Sequence, residues 1–501
     1  MIRYLRSLGT AMMILIVHTA FSQKAEKKPN ILLIISDDLR TELNCYGESY
    51  IKSPNIDKLA NEGTVFTSAY VQQAVCAASR ASFLTGVRPN TTGVDYPYSE
   101  YFVNTFWPSH PSIAEYFERQ NYEVRTFGKI NHGPQDKIKT LNYIPKGLKF
   151  YASEENIKLG GPKGRSKETP PFENADVPDE AYQDGMIAKE AVKAIKDLAG
   201  GNEPFFLAVG FKKPHLPFCA PKKYWDMYND SEIQLAVNPE LPKGAPSYAV
   251  SQKELNSYKT PPKVNGAFSP EYQKTLKHAY AACVSYVDAQ VGKLMNQLKE
   301  SKALDNTIVI FMSDHGWHLG EQGTWGKQTN YENATRAPLI ISLPGKARGV
   351  RMNQFVEYVD IYPTLVELAG FEPADYLEGN SFLPLFDNPS KEWKSAVFSQ
   401  FPRNGFEGYA IRTKDFRYVE WRSDKDSSVM SIELYDHRSD PVESVNVASE
   451  KKYGEVVKKL ASRLKAGWKA ALPAGIYNYS NNRPAPPSVG WGPEAKSGDG
   501  G

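Results

Sequence analysis

Four short apolar runs dominate the hydrophobic pattern of the chain, and longer amphipathic segments separate them. The runs cover residues 31–35, 122–127, 205–209 and 307–312. Continuous runs of this length, rich in β-branched and aromatic residues, are typical of strands buried on both faces of a parallel sheet. Apolar residues spaced three and four apart predict helices over residues 56–61, 112–120, 180–198 and 271–299. The alternation predicts an α/β fold in which helices sandwich a large, mostly parallel sheet.

A cluster of polar residues directly follows each apolar run. The clusters are Ser36-Asp37-Asp38, Gly128-Lys129 with His132, Lys212-Lys213-Pro214-His215 and Ser313-Asp314-His315-Gly316. In open α/β sheets, ligands bind beyond the carboxyl ends of the strands. We therefore expect all four clusters to converge on one site.

The hydrophobic pattern changes from about residue 391. Short strand-like segments cover residues 396–401, 408–412, 416–421 and 431–435, and a basic amphipathic helix is predicted over residues 456–471. We predict a catalytic domain over residues 23–390 and a smaller α+β subdomain, with a small antiparallel sheet and a helix, over residues 391–480. Residues 481–501, rich in Pro, Gly and Ser, are predicted to form a flexible tail.

The first 22 residues have the pattern of an export signal. Arg3 and Arg6 precede an apolar run at residues 11–17, and small residues at positions 20 and 22 suit cleavage before Gln23. The apolar run is much shorter than the ~20 residues that span a bilayer, so we expect no membrane span after signal removal. The predicted location is periplasmic or secreted; a retained anchor is the alternative.

Charge and cysteine content limit the classes of partner. The chain has 60 Lys and Arg against 57 Asp and Glu, a net charge of +3, which argues against a nucleic-acid surface. An anionic ligand would have to be bound by a few local cations. Export permits disulfides, but no bridge is predicted among the four cysteines, because Cys76 lies in a reactive context and its removal leaves an odd number.

Two acidic clusters suggest a metal site. Asp37, Asp38, Asp314 and His315 follow two of the predicted strands, and adjacent carboxylates repel each other unless a cation or a proton lies between them. An oxygen-rich set favours Ca²⁺ or Mg²⁺ over Zn²⁺. The alternative is that each pair only caps a following helix or turn; two such pairs in one chain favour the metal.

Cys76 is the candidate nucleophile. It is predicted to lie near the N-terminus of a short helix, where backbone N–H groups favour anions, with Arg80 one turn further on. A lone cysteine in an apolar stretch is commonly a core residue. The nearby arginine favours a chemical role instead.

The segment Cys76-Ala77-Ala78-Ser79-Arg80, followed by Leu84-Thr85-Gly86, resembles the signature of the type I, formylglycine-dependent sulfatases of the alkaline-phosphatase-like superfamily. Further similar blocks follow the family order across roughly residues 28–443, at 37–38, 53–60, 128–132, 213–215, 313–321 and 325–327. The early block is most similar to that of the iduronate-2-sulfatase group. In this family the signature cysteine is oxidised to Cα-formylglycine.

The resemblance implies a role for each matching residue. Hydrated formylglycine at Cys76 would attack sulfur, and its second hydroxyl would later allow sulfate to be expelled. One Ca²⁺ per chain would be held by Asp37, Asp38, the modified Cys76, Asp314 and His315. Arg80 would orient the aldehyde hydrate, and His132 would act as the base that expels sulfate. Lys129, His215 and Lys327 would bind the sulfate oxygens and help to protonate the leaving group.

The resemblance also implies a substrate and a partner. It suggests the 2-O-sulfate of uronic acid residues in glycosaminoglycan or other sulfated polysaccharide oligosaccharides, with Trp317 and His318 as candidates to contact the sugar. Residues 144–178, rich in Pro and Lys, are interpreted either as a substrate-facing loop or as an insertion without a role in binding. Ala78 stands where the other form of the signature has Pro, and this implies a bacterial sulfatase-maturating enzyme as partner.

Three alternatives remain at this point. The protein could be a sulfatase for another position of a sulfated glycan, or a phosphonate or phosphate ester hydrolase on the same scaffold. It could also be a non-catalytic glycan-binding protein if Cys76 is never converted. The sequence does not predict an oligomeric state.

Overall fold

A computed structural model describes most of the chain. The described residues are 27–94, 110–132, 142–145, 149–161, 164–251, 254–346, 348–403, 405–476 and 478–482. The predicted export signal and residues 483–501 of the predicted tail lie outside these ranges.

An eight-stranded sheet forms the centre of the fold. Its strands are β1 (Asn30–Asp37), β2 (Thr64–Phe66), β4 (Glu123–Gly128), β5 (Asn142–Tyr143), β7 (Phe205–Pro214), β9 (Thr307–Ser313), β12 (Leu339–Ser342) and β13 (Val350–Met352). Their order is β13-β2-β12-β9-β1-β7-β4-β5, and only β12 of these eight runs antiparallel to its neighbours. The four predicted strands are β1, β4, β7 and β9, which lie side by side. The predicted α/β fold class is confirmed.

Helices cover both faces of this sheet. In β1, Leu32 and Ile34 belong to one apolar core, whereas Ile31, Leu33 and Ile35 belong to another on the opposite face. This burial on both faces explains why the strand reads as a continuous apolar run. Helices α1 (Pro54–Glu62), α6 (Gln183–Ala199) and α8 (Pro270–Glu300) contribute to the first core; α2 (Cys76–Thr85), α4 (Ile113–Arg119) and α10 (Ile361–Leu368) contribute to the second.

Shorter elements connect these layers. The helices are α3 (Pro89–Thr92), α5 (Glu154–Gly160), α7 (Lys222–Trp225), α9 (Glu332–Thr335) and α11 (Leu383–Asp387). The strands are β3 (Ala69–Tyr70), β6 (Phe172–Glu173), β8 (Phe218–Cys219), β10 (His318–Leu319), β11 (Trp325–Gly326) and β14 (Val356–Glu357).

A second, antiparallel sheet lies in the C-terminal part of the chain. Its four strands pair in sequence order: β15 (Ala396–Arg403), β16 (Phe406–Thr413), β17 (Phe416–Ser423) and β18 (Val429–Asp436). Helix α12 (Gly454–Ala466) packs on it through Leu460 and Leu464. The helix is shorter than predicted, because Gly467 adopts a φ of 78° and a 3₁₀ turn follows at Trp468–Ala471. The domain boundary near residue 390 stays a prediction.

Two further features of the structure are its helix lengths and its cysteines. Across the described ranges, no helix is both long and apolar enough to cross a bilayer. Cys45, Cys76, Cys219 and Cys283 are all free thiols.

A buried ion network joins the two parts of the chain. Arg88 donates to both carboxylate oxygens of Glu357, at 2.9 and 2.7 Å, and Lys394, just before β15, donates to Glu357 at 2.8 Å and to Asp360 at 2.7 Å. All four side chains are almost fully buried. Burial alone would raise the pKa of Glu357, but Arg88 and Lys394 hold it at about 2. The network therefore consists of charged groups that depend on one another.

Replacing Lys394 should destabilise the protein strongly. Lys394→Met leaves two buried carboxylates with Arg88 as their nearby cation, and breaking a buried pair in this way costs about 3–5 kcal/mol. We expect the free energy of unfolding, measured by urea titration, to fall by that amount. Lys414→Met, at an exposed position beside β17, is the control. Equal stability of the two variants would contradict this account of the network.

Candidate functional site

The carboxyl ends of β1, β4, β7 and β9 bring the predicted site residues together. Ser36 pairs with Ser313, Asp37 with Pro214, and Gly128 with Gly210 across the parallel ladders. The polar clusters that follow each strand therefore emerge at one edge of the sheet. We call the resulting group of side chains the Cys76 site; its members are Asp37, Asp38, Cys76, Arg80, Lys129, His215, Asp314, His315 and Lys327.

The backbone turns sharply at the end of β1, between Asp37 and Asp38. Asp38 has a left-handed φ of 63°, a conformation that Asp tolerates better than most residues. Its N–H donates to Asp314 Oδ1 at 3.1 Å, and its C=O accepts from Tyr280 Oη at 2.8 Å. These bonds hold the turn so that Asp37 and Asp38 both lie fully buried beside Cys76.

Cys76 is the first residue of α2, as predicted. Val75 precedes it in extended conformation, and every residue of α2 is buried. The Cys76 sulfur lies 3.2 Å from Lys327 Nζ, 3.3 Å from His315 Nε2, and 3.4 Å from Asp37 Oδ1. The cysteine therefore sits between cationic and acidic groups, which a purely structural core cysteine does not require.

Three cations balance the acidic groups. Lys129 Nζ donates to Asp37 Oδ2, and Lys327 Nζ donates to Asp38 Oδ1 at 2.7 Å. Arg80 Nε donates to Asp314 Oδ2 at 2.9 Å. Burial would raise the pKa of Asp37, but Lys129, with help from other cations of the site, holds it well below its ordinary value.

Asp38 is less well compensated. Burial raises its pKa well above the ordinary range, and the Lys327 ammonium only partly opposes this. Its buried Oδ2 has no hydrogen-bond partner within the structure. Ligand atoms of Asp37, Asp38, Cys76 and His315 all lie within 4.8 Å of one another. A carboxylate oxygen of Asp38 that lacks a hydrogen-bond partner among the described residues, close to Asp37 and to the His315 imidazole, fits a divalent cation.

Asp314 and His315 differ in their readiness to bind a metal. Both Asp314 carboxylate oxygens are already engaged, one by Arg80 and one by the Asp38 amide. His315 Nδ1 contacts Gly316 O at 2.9 Å, which turns Nε2 toward Cys76 and the acids. Asp314 lies at the margin of the group, with Oδ2 3.5 Å from His315 Nε2.

His215 and His132 border the same site. His215 Nδ1 contacts Leu216 O at 2.5 Å, leaving Nε2 3.9 Å from Asp38 Oδ2; burial lowers its pKa well below the ordinary value. Desolvation, followed by the charge of Lys129, lowers the pKa of His132 to about 4, although its ring is partly exposed. His132 is therefore a neutral base at pH 7.

Trp317 and His318 do not line an opening. Both are fully buried. The Trp317 ring packs edge-on against Phe218, with Lys327 Nζ 5.3 Å from its centroid, and His318 Nε2 bonds Thr329 Oγ1 at 2.8 Å. In this structure neither side chain presents a surface to a sugar.

The C-terminal sheet contributes contacts that the sequence did not predict. Phe401 of β15 packs against Val75 and Ala78, which flank Cys76. Arg403, at the end of β15, donates to the backbone carbonyl of Gln328, the residue after Lys327. These residues carry no recognisable signature and lie far from Cys76 in sequence, so only the fold reveals them.

A second group with metal-like composition has a structural role. Glu332, His437 and Glu443 lie close together. Arg417 donates to both glutamates at 2.5 Å. The arginine supplies the positive charge that these acids require, and the group joins α9 to β17.

Comparisons with known proteins identify the family of the chain. The family model described as sulfatase matches residues 29–371, and the model of the C-terminal region of N-sulphoglucosamine sulphohydrolase matches residues 320–469. Human iduronate 2-sulfatase is 32% identical, over 86% of this chain and 93% of its own length.

Two further proteins show how widely the scaffold is used. The N-acetylglucosamine-6-O-sulfatase of Bacteroides thetaiotaomicron is 27% identical, over 88% of this chain and 87% of its own. The solved structure of a phosphonate monoester hydrolase from Agrobacterium radiobacter has a TM-score of 0.73 and 25% identity, and covers 88% of this chain and 95% of its own. With a family model matching most of its length, the chain belongs to the sulfatase family and is a sulfuric ester hydrolase.

Proposed function

We propose that this protein hydrolyses sulfate esters of carbohydrates with a formylglycine nucleophile made from Cys76. The observation that carries the proposal is the position of Cys76 at the start of a buried helix, with its sulfur 3.2 Å from Lys327 Nζ and 3.4 Å from Asp37 Oδ1. Attack on sulfur builds negative charge on the peripheral and leaving oxygens. A nucleophile held between a metal-binding acid pair and lysine ammonium groups meets that requirement.

Two groups would complete the site. Asp37, Asp38 and His315, with Asp314 at the margin, would hold a Ca²⁺ ion, which supplies Lewis-acid polarisation of a sulfate oxygen. The carboxylate-rich donor set favours Ca²⁺. Formylglycine at position 76 would supply a hydrated aldehyde, whose hydroxyl is the nucleophile.

The side chains of the site then divide the remaining work. Lys129 and Lys327 would bind sulfate oxygens; in support of this, both ammonium groups contact the carboxylates beside Cys76. His215 borders the same space and would help to protonate the leaving oxygen. Arg80, one turn beyond Cys76 and anchored by Asp314, would orient the nucleophile. His132, neutral at pH 7, can accept the proton whose loss expels sulfate.

For the substrate we favour the 2-O-sulfate of a uronic acid residue in a glycosaminoglycan or related oligosaccharide. Human iduronate 2-sulfatase, similar over most of both chains, supports this choice. The similarity to an N-acetylglucosamine-6-O-sulfatase supports a 6-O-sulfated hexosamine as the alternative. We also propose that the protein is exported and that a bacterial sulfatase-maturating enzyme converts Cys76, in keeping with Ala78 in the signature.

A phosphonate ester hydrolase is the second candidate function. It is favoured by the structural similarity to the phosphonate monoester hydrolase of Agrobacterium radiobacter. Both reactions require a nucleophile, a metal and cations around a tetrahedral centre, so the scaffold alone does not separate them.

Asp38→Asn should remove the metal. The amide keeps the size of the side chain but removes the charge of the carboxylate whose Oδ2 has no hydrogen-bond partner. We expect the wild type to hold one Ca²⁺ per chain by plasma mass spectrometry after dialysis, and the variant to lose it, with turnover falling about a hundredfold or more. Asp305→Asn, at an exposed position, should keep the ion. A full equivalent of metal in Asp38→Asn would rule out this ligand set.

Conversion of Cys76 can be read directly by peptide mass spectrometry. In protein made together with a maturating enzyme, the peptide should be lighter by the difference between H₂S and one oxygen atom. Cys76→Ala should lower turnover by about 10³-fold or more, because no nucleophile remains, while the thermal midpoint stays near that of the wild type. Activity in protein whose Cys76 is entirely unmodified would disprove the mechanism.

Defined substrates separate the candidate functions. We expect matured protein to release sulfate from a 2-O-sulfated uronate disaccharide faster than from a 6-O-sulfated glucosamine disaccharide, measured by ion chromatography. An aryl sulfate and the matching aryl phosphonate give the second comparison. Faster release from the 6-O-sulfated sugar would overturn the substrate assignment, and faster cleavage of the phosphonate would overturn the reaction.

A further inference from the structure

Lys212 is a cation near the Cys76 site that the proposed mechanism does not use. It lies near the end of β7, two residues beyond Gly210, whose carbonyl accepts from the Lys129 amide at 2.9 Å. Its Nζ lies 4.0 Å from the centroid of the Phe150 ring. Among the described residues, no hydrogen bond or ion pair to this Nζ is found. Lys212 is therefore a partly buried ammonium group that forms no ion pair with the described residues.

The charges around Lys212 make this arrangement costly. Burial, followed by the positive charges of Lys129 and Lys213, lowers the pKa of Lys212 to about 7, and Arg165 adds to the effect. The negative charge of Asp37 opposes this shift only in part. The carboxylate of Asp184 accepts the backbone N–H groups of Lys212 and Lys213 at 2.9 and 2.8 Å. Like charges gathered in a poorly solvated place indicate a site for an anion.

A turn of the Pro- and Lys-rich stretch completes the surroundings of Lys212. Gly164 has a φ of 68°, and a Cβ at this position would lie 2.3 Å from the Phe150 ring. The turn is thus pressed against the same ring that supports Lys212, and the exposed Arg165 follows directly. The positive charges of Arg165 and Lys129 both act on Lys212, so the three cations lie near one another.

We propose that Lys212 and Arg165 form a second anion subsite, which binds a further anionic group of the same substrate beside the sulfate ester that is cleaved. The group would be a sugar carboxylate or an additional sulfate, since both present oxygens that accept from ammonium and guanidinium groups. This inference rests on the proposed function, because it concerns the same substrate. It explains why position 165 and the end of β7 carry cations that the hydrolysis itself does not require.

Kinetics on matched substrates test the subsite. Matured Lys212→Met is compared with Lys196→Met, at an exposed position of α6, on an aryl sulfate, a 2-O-sulfated uronate disaccharide and the same disaccharide with its carboxyl reduced. We expect Lys212→Met to lower kcat/KM on the carboxylated disaccharide about ten- to a hundredfold more than on the aryl sulfate, as for a lost charged hydrogen bond. Lys212→Arg should recover most of the loss, and Lys196→Met should behave as the wild type.

The outcomes identify the bound anion and include two results that would overturn the proposal. If the defect disappears on the carboxyl-reduced disaccharide, the anion bound at the subsite is the carboxylate. If the defect persists there and requires a second sulfate on the substrate, the bound anion is that sulfate. An equal loss on the aryl sulfate would overturn the proposal, because Lys212 would then act on the reacting group or on the fold. No difference from Lys196→Met would overturn it as well.

A binding experiment separates this inference from the proposed reaction. In Cys76→Ala protein, which cannot turn over, acetylation of Lys212 is followed by peptide mass spectrometry with and without the 2-O-sulfated uronate disaccharide. We expect the disaccharide to protect Lys212 and not Lys196, and its neutral, unsulfated analogue to protect neither. Equal acetylation in all samples would overturn the subsite even if the matured enzyme is active. If Lys212 is protected in Cys76→Ala but the matured wild type has no sulfatase activity, the subsite is supported and the proposed reaction is refuted.

Discussion

The buried pair of adjacent carboxylates, Asp37 and Asp38, is the constraint on which the rest of the site depends. Two neighbouring acids in a place of low polarity are stable only when opposite charge surrounds them. That charge comes from three separate parts of the chain: Arg80 from α2, Lys129 from the end of β4, and Lys327 from the segment after β11. Each cation reaches the carboxylates only if its own element packs correctly, so the charge balance of the site depends on the whole fold.

The main features of the fold could be predicted because strands buried on both faces require apolar residues at successive positions. Strands β1, β7 and β9 are covered on both faces and therefore read as continuous apolar runs. In β4 the exposed Glu123 and the partly exposed Arg125 interrupt the apolar residues. The outer strands β2, β12 and β13 are only three or four residues long and form no such run. The end of α12 was misplaced because one glycine, Gly467, stops a pattern that otherwise continues.

The site was predictable to the extent that its residues follow strand ends. Topology brings such residues together, and a family signature attached chemistry to Cys76. Trp317 shows the limit of this reasoning, because an aromatic residue after a strand end can face a ligand or the core, and only the packing against Phe218 decides. Lys212 shows the opposite case: its sequence neighbours are unremarkable, and the excess of positive over negative charge around it becomes visible only when the surrounding groups are placed in space.

The contact of Phe401 with Val75 and Ala78 has a consequence for the order of events during synthesis. Cys76 is 2% exposed in the folded chain, with Phe401 packed against Val75 and Ala78. The proposed maturating enzyme would therefore need to reach the thiol before the chain has folded around it. At about 5–20 residues per second, the stretch of chain between Cys76 and Phe401 takes roughly 15–65 s to synthesise. The proposed oxidation of Cys76 would therefore have to be finished, or the chain kept open, before the last fifth of the protein folds onto the rest. Under this proposal, docking of the C-terminal sheet would set the latest time at which Cys76 can be converted.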